Sequence, residues 1–464
     1  MREELQKQNG SENRNLDENR TLLKIKAKVH RKLLQLMDLN EARHMPVEKL
    51  HAECADRVDA LLREEKFPLS GPEKEQLLRE VMDEIFGFGP LDEFLRDPFV
   101  SDILVNGPHQ IYIEREGRLE VTDATFMDDK HLMRVIRRIG TNVGRRIDES
   151  TPMLDARLPD GSRVNAIIPP LSLDGPALSI RRFGVNPIDM ERLLELDTLH
   201  EDMALFVELC VKCKMNILIS GGTGTGKTTL LNALSAWIPP GERVVTIEDA
   251  AELQLQREHV VRLETRPPNI EGEGRINQRD LLHNSLRMRP DRIIIGEVRG
   301  EESLDMLQAM NTGHEGSMTT VHANGPRDAL RRIENMVSMA GINYPVKAIR
   351  EQMSSALDVL IQVGRLVGGC RKVVNIVEIT GMEGDVICLH DIFEYNQTGV
   401  EDGQPQGHFR ACGVSPRLLS RMKRHGVEVP TDMFQRHVLV KVDPAVDEEE
   451  APEKAGIMSR FKSK

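Results

Sequence analysis

Residues 219–234 read ISGGTGTGKTTLLNAL, and this run constrains the chain more than any other. Gly221, Gly226, Lys227 and Thr228 satisfy the spacing G-x-x-x-x-G-K-[ST], directly after the apolar run NILIS and directly before an apolar helical segment. Small residues at Gly221, Gly222, Thr223, Gly224, Thr225 and Gly226 let backbone N–H groups turn inward to cradle phosphates, and the start of the next helix adds its positive field. Lys227 is placed to meet the outer phosphates, Thr228 offers a hydroxyl to Mg2+, and Thr229 continues the motif. A glycine-rich turn can match this pattern by accident, but here strand and helix flank it in the required order. Nucleotide binding, with ATP as substrate, is the expectation.

Around the loop, the short apolar runs NILIS, RVVTIED, RIIIGE and SMTTVHA alternate with helical segments from about residue 201 to 434. Such alternation predicts an α/β domain with a mainly parallel sheet, whose ligands gather at the carboxyl ends of the strands. Residues 86–184 differ. VSDILVNGPHQIYIEREGRLEVT and LDARLPDGSRVNAIIPP alternate apolar and polar residues around Gly-Pro, Glu-Gly and Pro-Asp-Gly turns, with DKHLMRVIRRIG reading as a helix between them. This predicts a smaller α+β domain. It is preceded by a helical region over residues 21–85 and followed by a linker over 185–200. Residues 1–20 lack apolar periodicity and read as a disordered arm; residues 435–464, with the run DEEEAPEK, read as a flexible acidic tail.

A net charge of −12 and 3% aromatic residues argue against direct nucleic-acid binding as the main role of the chain. No apolar run approaches the roughly 20 residues that span a bilayer, so membrane contact is expected to be peripheral. Cys210 and Cys213 form a CxxC inside MALFVELCVKCKMN, which reads as an amphipathic helix. No second CxxC completes a zinc site, and two reduced, packed thiols fit better than a redox pair.

Hydrolysis needs a carboxylate that orients or deprotonates water. Two strand ends supply acids: Glu248, Asp249 and Glu252 in VVTIEDAAEL, and Glu297, followed by Arg299, in RIIIGEVRG. The residue after the second apolar run, where such loops usually place a magnesium-holding Asp, is Gly296. Acids at single strand ends are often only helix caps, but two acidic ends beside a phosphate loop favour catalysis. His314 and His322 bracket TGHEGSMTTVHAN, with His322 at the carboxyl edge of a strand and His314 in the preceding glycine turn. An isolated histidine usually makes only a local hydrogen bond. Beside phosphates it can instead sense the γ-phosphate.

Together these blocks resemble the secretion ATPase superfamily that powers type II secretion, type IV pili and type IV secretion. GGTGTGKTT looks like its Walker A box, TIEDAAEL its Asp box, IIIGEVRG its atypical Walker B box and TGHEGSMTTVHAN its His box. GRRIDESTPMLDARLPDGSRVNAIIPPLSLDGPALSIRRF and IFEYNQTGVEDGQPQGHFRACGVSPRLL resemble the CpaF-type branch, which assembles tight-adherence (Tad) pili. The resemblance runs from about Leu22 to Phe434 and implies a RecA-like ATPase domain in a homohexameric ring. It also implies docking on platform proteins at the cytoplasmic face of the inner membrane. Glu297 would be the catalytic acid, with Mg2+ held by Thr228, the phosphates and, through water, the Asp-box acids. Arg163, Arg181 and Arg182 of the α+β domain would reach the nucleotide of a neighbouring subunit, although surface arginines more often form solvated pairs. Two other readings stay open: a type IV secretion ATPase moving DNA or protein effectors, and a nucleotide-dependent scaffold without turnover.

Overall fold

The computed structural model describes residues 45–439, apart from 65, 66, 68, 116, 185–187, 267, 269–272, 342 and 343, together with residues 25, 28, 29, 32 and 33. The arm expected over residues 1–20 and the tail beyond residue 439 lie outside that description. The chain divides into two units, Met1–Val185 and Asn186–Lys464.

In the first unit, helices α1 (Val47–Glu64) and α2 (Gly71–Phe86) share a core. Cys54, Val58 and Leu61 of α1 meet Leu77, Leu78, Val81 and Ile85 of α2, the three-and-four spacing that lays apolar side chains along one helix face. A short α3 (Asp92–Arg96) leads into β1 (Val100–Asn106), β2 (Ile111–Arg115) and β3 (Arg118–Val121). Helix α4 (Asp129–Asn142) follows, then β4 (Met153–Arg157), β5 (Arg163–Ile167) and β6 (Ala177–Arg181). These strands form an antiparallel sheet in the order β3-β2-β1-β6-β5-β4. The Asp128 carboxylate accepts the His131 amide at 2.7 Å and so starts α4. Leu132, Val135, Ile136 and Ile139 then cover Ile103, Val105, Ile113, Val164 and Ile180. Alternation within each strand sends the intervening polar residues to the opposite face.

The second unit begins with α5 (Met190–Glu195) and α6 (Glu201–Lys212) and continues through β7 (Ile217–Gly221), α7 (Lys227–Ser235), β8 (Val244–Glu248), β9 (Val260–Glu264) and α8 (Gln278–Ser285). Next come β10 (Arg292–Ile295), α9 (Glu302–Asn311), β11 (Met318–His322), α10 (Pro326–Met339), α11 (Val346–Ala356) and β12 (Val359–Arg365). The chain then runs through β13 (Arg371–Glu383), β14 (Val386–Glu401), β15 (Gln404–Ala411), α12 (Leu419–Arg424) and β16 (His437–Val438). Among the described residues, strands β7 to β16 join one sheet, ordered β16-β15-β14-β13-β12-β7-β11-β10-β8-β9.

Pairings from β9 to β12 are parallel, as the alternation predicts; those from β12 to β16 are antiparallel and extend the sheet beyond it. Ile217 and Ile219 point into a core containing Phe206 of α6 and Leu230 of α7, while Leu218 enters the opposite core with Leu307 of α9 and Ile333 of α10. Burial on both faces is why NILIS reads as an unbroken apolar run. Cys210 and Cys213 are buried thiols at the end of α6 and form no disulfide, and burial pushes both thiols up.

Candidate nucleotide site

Strand β7 is buried along its whole length and delivers Gly221 at its carboxyl end. A Cβ on Gly221 would lie 2.5 Å from Thr225 Oγ1 and 2.6 Å from the Val363 carbonyl oxygen, so glycine is required there. Gly224 and Gly226 hold φ angles of +69° and +93°, which close the turn and release the chain into α7 at Lys227. Gly222 and Thr223 lie between these anchors, and Thr228 and Thr229 fall in the first turn of α7, half-buried. The Gly222 carbonyl accepts from Thr225 Oγ1 at 3.0 Å and from Lys227 Nζ at 2.9 Å. Lys227 is only 7% exposed, and burial lowers its pKa while the Glu297 carboxylate opposes that shift. A buried ammonium held by a carbonyl gains strongly when a phosphate oxygen becomes available.

Register brings the other groups to the same sheet edge. His322 at the end of β11 pairs with Gly221, and Ile295 at the end of β10 lies beside Ile247 of β8 and Thr319 of β11. His322 Nε2 stands 2.9 Å from Glu297 Oε1, and the ring nitrogens stand 3.4 and 3.5 Å from Lys227 Nζ. Arg299 donates from Nη2 to Glu297 at 2.7 Å and from Nη1 to Asp249 at 3.3 Å. Lys227, His322, Glu297, Arg299 and Asp249 therefore form one chain of polar contacts. Burial lowers the His322 pKa, with Glu297 opposing and Lys227, Arg299 and Arg332 reinforcing the shift.

Glu248 stands apart from the other acids. It is 3% exposed, and its Oε2 accepts the Glu252 and Leu253 amides at 2.7 and 2.9 Å. Its Oε1 is buried and has no hydrogen-bond partner among the described residues. Burial raises this carboxyl to about 7. A Cβ on Gly296 would lie 2.9 Å from Glu248 Cγ, so the Glu248 side chain occupies the space that an Asp at position 296 would need. The Glu252 carboxylate is exposed, yet it raises the pKa of both Lys227 and Glu248, which puts its charge near the same edge.

His314 does not join this cluster. Met318, at the start of β11, pairs with Ile217 at the start of β7, so the turn before Met318 belongs to the amino edge of the sheet. The Ser317 hydroxyl donates to the His314 carbonyl at 2.7 Å, and a Cβ on Gly316 would approach Lys214, in the turn before β7, and Arg292, the first residue of β10. The expectation of a catalytic His314 is corrected on that ground: a strand's length separates it from His322.

Arg157, Arg163 and Arg181 of the first unit form a row. Cross-strand register aligns Asp102, Arg181, Arg163 and Arg157 on β1, β6, β5 and β4. Arg163 pairs with Asp155 through two contacts at 2.8 and 3.2 Å, and Arg181 Nε lies 3.0 Å from Asp102 Oδ1. Arg182 turns instead to its own domain, where Nη1 donates to the carbonyls of Asp97 and Val100. Sequence reasoning did not single out Arg157, Arg332 or Arg371. Arg371 Nε donates to the Gly224 carbonyl at 3.0 Å from 147 residues away, a separation that leaves no local signal.

A family model described as "Type II/IV secretion system protein" matches residues 84–429. The protein Rv3659c of Mycobacterium tuberculosis is 36% identical over 315 residues, 67% of this chain and 89% of its own length. Conjugal transfer protein TrbB of Rhizobium radiobacter is 35% identical over 291 residues, 62% of this chain and 86% of TrbB. Among solved structures, the VirB11 ATPase from the Brucella suis type IV secretion system is 28% identical with a TM-score of 0.34, covering 62% of this chain and 94% of that one.

Proposed function

Because the chain belongs to the type II/IV secretion system protein family, we propose that it is an ATP hydrolase serving as the motor of a pilus or secretion machine. The convergence of Lys227, His322 and Glu297 beside a phosphate loop supports this most directly. In this reading the ATP phosphates draw Lys227 away from the Gly222 carbonyl. Glu297, clasped by His322 and Arg299, is the acid that orients and activates water. His322, relieved of Lys227, turns a ring nitrogen toward the γ-phosphate and reports its loss through β11.

Mg2+ suits the donors present. The Thr228 hydroxyl and the carboxylates of Glu248 and Asp249 are hard oxygen ligands. Among the described residues no group of three or more His, Cys, Asp or Glu side chains is placed to hold a metal ion by itself. Mg2+ keeps several of its waters and binds largely through substrate phosphates. Bound there, it would neutralise charge on the phosphate chain.

Phosphate release from ATP by the purified chain tests the enzyme reading. Binding without turnover in the parent protein would support a nucleotide-dependent scaffold instead. For the machine, the likeness of residues 144–183 and 392–419 to the CpaF-type branch supports Tad pilus assembly. The names of TrbB and of a VirB11 relative from Bartonella quintana, "Type IV secretion system protein VirB11", support a second reading, transfer of DNA or protein by type IV secretion. Deleting the gene separates them: loss of surface filaments with transfer intact supports the first, and the reverse supports the second. A homohexamer docked on inner-membrane platform proteins, at the cytoplasmic face, belongs to the same proposal. Among the described residues no helix is long and apolar enough to cross a membrane.

A further inference from the structure

The phosphate loop is gripped from outside by the antiparallel half of the sheet. Arg371, the first residue of β13, lies in register with Arg365, the last of β12. Its Nε donates to the Gly224 carbonyl at 3.0 Å, and its Cδ lies 3.4 Å from where a Cβ on Gly226 would sit. A Cβ on Gly224 would in turn lie 3.6 Å from Arg365 Nη1. The turn between the two arginines is itself braced. Gly368 and Gly369 adopt φ angles of +74° and +81°, a Cβ on Gly368 would come within 2.5 Å of the Gly403 carbonyl oxygen, and the Cys370 thiol donates to Gln404 at 2.9 Å.

In a trans peptide the C=O and the following N–H point in opposite directions. A guanidinium that holds the Gly224 oxygen on one side therefore aims the Thr225 N–H to the other. Gly224, with φ at +69°, has no Cβ to restrict rotation on its own side of that peptide, so the guanidinium supplies a restraint that the glycine lacks. A flipped peptide would aim a carbonyl oxygen where an N–H should meet a phosphate.

We propose that Arg371 is a positioning residue for nucleotide binding: it fixes the Gly224–Thr225 peptide so that the Thr225 amide faces the phosphate chain. This rests on the reading of the loop as an ATP site. Arg371 acts on the phosphates through the loop backbone, not by touching base or ribose.

The test compares the full chain with Arg371→Met, which keeps the aliphatic stem over Gly226 but loses the donor, and with Arg371→Lys, which keeps a charge. Affinities for ATP and for inorganic triphosphate are measured by calorimetry, with Lys227→Ala as a reference. Arg371→Met is expected to weaken both ligands by the same factor, about tenfold, the scale of one charge-assisted hydrogen bond. Arg371→Lys is expected to fall between it and the parent, with the melting temperature of the unliganded protein unchanged in both. Unaltered ATP affinity in Arg371→Met, while Lys227→Ala loses binding, overturns the proposal and leaves the ATP site standing. Weakened ATP with unaltered triphosphate overturns it too, since the guanidinium would then serve the nucleoside. If the parent binds neither ligand, the ATP reading itself fails. Should Arg371→Met not fold, equal weakening of both ligands in Arg371→Lys supports the proposal and parent-like affinity for both overturns it.

Discussion

Glu248→Gln tests the most unusual electrostatic feature of the site. Burial moves the Glu248 carboxyl from its ordinary value of 4.5 to about 7, against the pull of the Glu252 and Leu253 amides. The folded protein therefore holds this proton more tightly than the unfolded chain does. The associated stability is fully present below about pH 4.5 and is lost as pH rises to about 7. At ~1.4 kcal/mol for each pH unit between the two values, the parent protein loses about 3 kcal/mol relative to an uncharged isostere. Gln keeps an oxygen for the two amides and carries no charge. Parent and variant should melt together near pH 4.5, while at pH 8 the variant should melt higher by roughly 5–10 °C, on the scale of a domain of this size. Calorimetric scans without nucleotide at several pH values read this directly. A gap independent of pH, or a parent protein that melts higher at pH 8, would refute the reasoning.

Glu297→Gln should retain ATP binding but lose turnover by about 10²–10⁴-fold, mainly in kcat, because the amide keeps the shape without the basicity; near-parent turnover would move the search to Glu248, Asp249 and Glu252. Lys227→Ala should weaken ATP binding itself, and unchanged affinity in a nucleotide titration would count against the loop assignment. His322→Ala should keep ATP affinity yet lose coupling, so normal filaments at normal ATPase rates would remove its sensing role. An Arg163/Arg181 double Ala variant and Glu297→Gln, each nearly inactive alone, should regain partial activity on mixing if the arginines serve a neighbouring subunit's nucleotide; mixed rings with no recovery would contradict that.

The parallel strands β7, β8, β10 and β11 are legible in the sequence because each is a short run buried on two faces and closed by glycine, an acid or, in β11, His322. The antiparallel extension is not. In β14 the residues from Asn396 to Glu401 are all exposed, and register shifts in the β13–β14 and β14–β15 pairings break the alternation that would mark a strand. Backbone ladders hold these strands where side chains carry little signal. The site shows the same division. Motif spacing singles out Lys227, Glu297 and His322, which the fold brings to one edge of the sheet, but it ranks Glu248, Asp249 and Glu252 as equals. Only burial separates Glu248 from them. The letters put His314 in the turn before a strand and His322 at its end, and the parallel register of β11 with β7 sets those two positions on opposite edges of the sheet.

The missing Asp after β10 has its cause in the neighbouring strand. Ile247 of β8 pairs with Ile295 of β10, so the next positions, Glu248 and Gly296, are neighbours across the sheet edge. The Glu248 side chain crosses over residue 296, and a bare α-carbon there is the condition for it to do so. One strand gives up a side chain, and the other fills the space with a carboxylate reached from the side. The next residue of the first strand, Glu297, is then released toward His322 and Arg299. Two acids thus come to stand in unlike settings, one desolvated with an unpartnered oxygen, the other held between an imidazole and a guanidinium. Unlike settings suit unlike work. In the proposed reading, the desolvated Glu248 waits for a cation to replace its proton, while Glu297 keeps its lone pairs directed at water. A single Asp at position 296 would have to do both and would exclude Glu248 by collision.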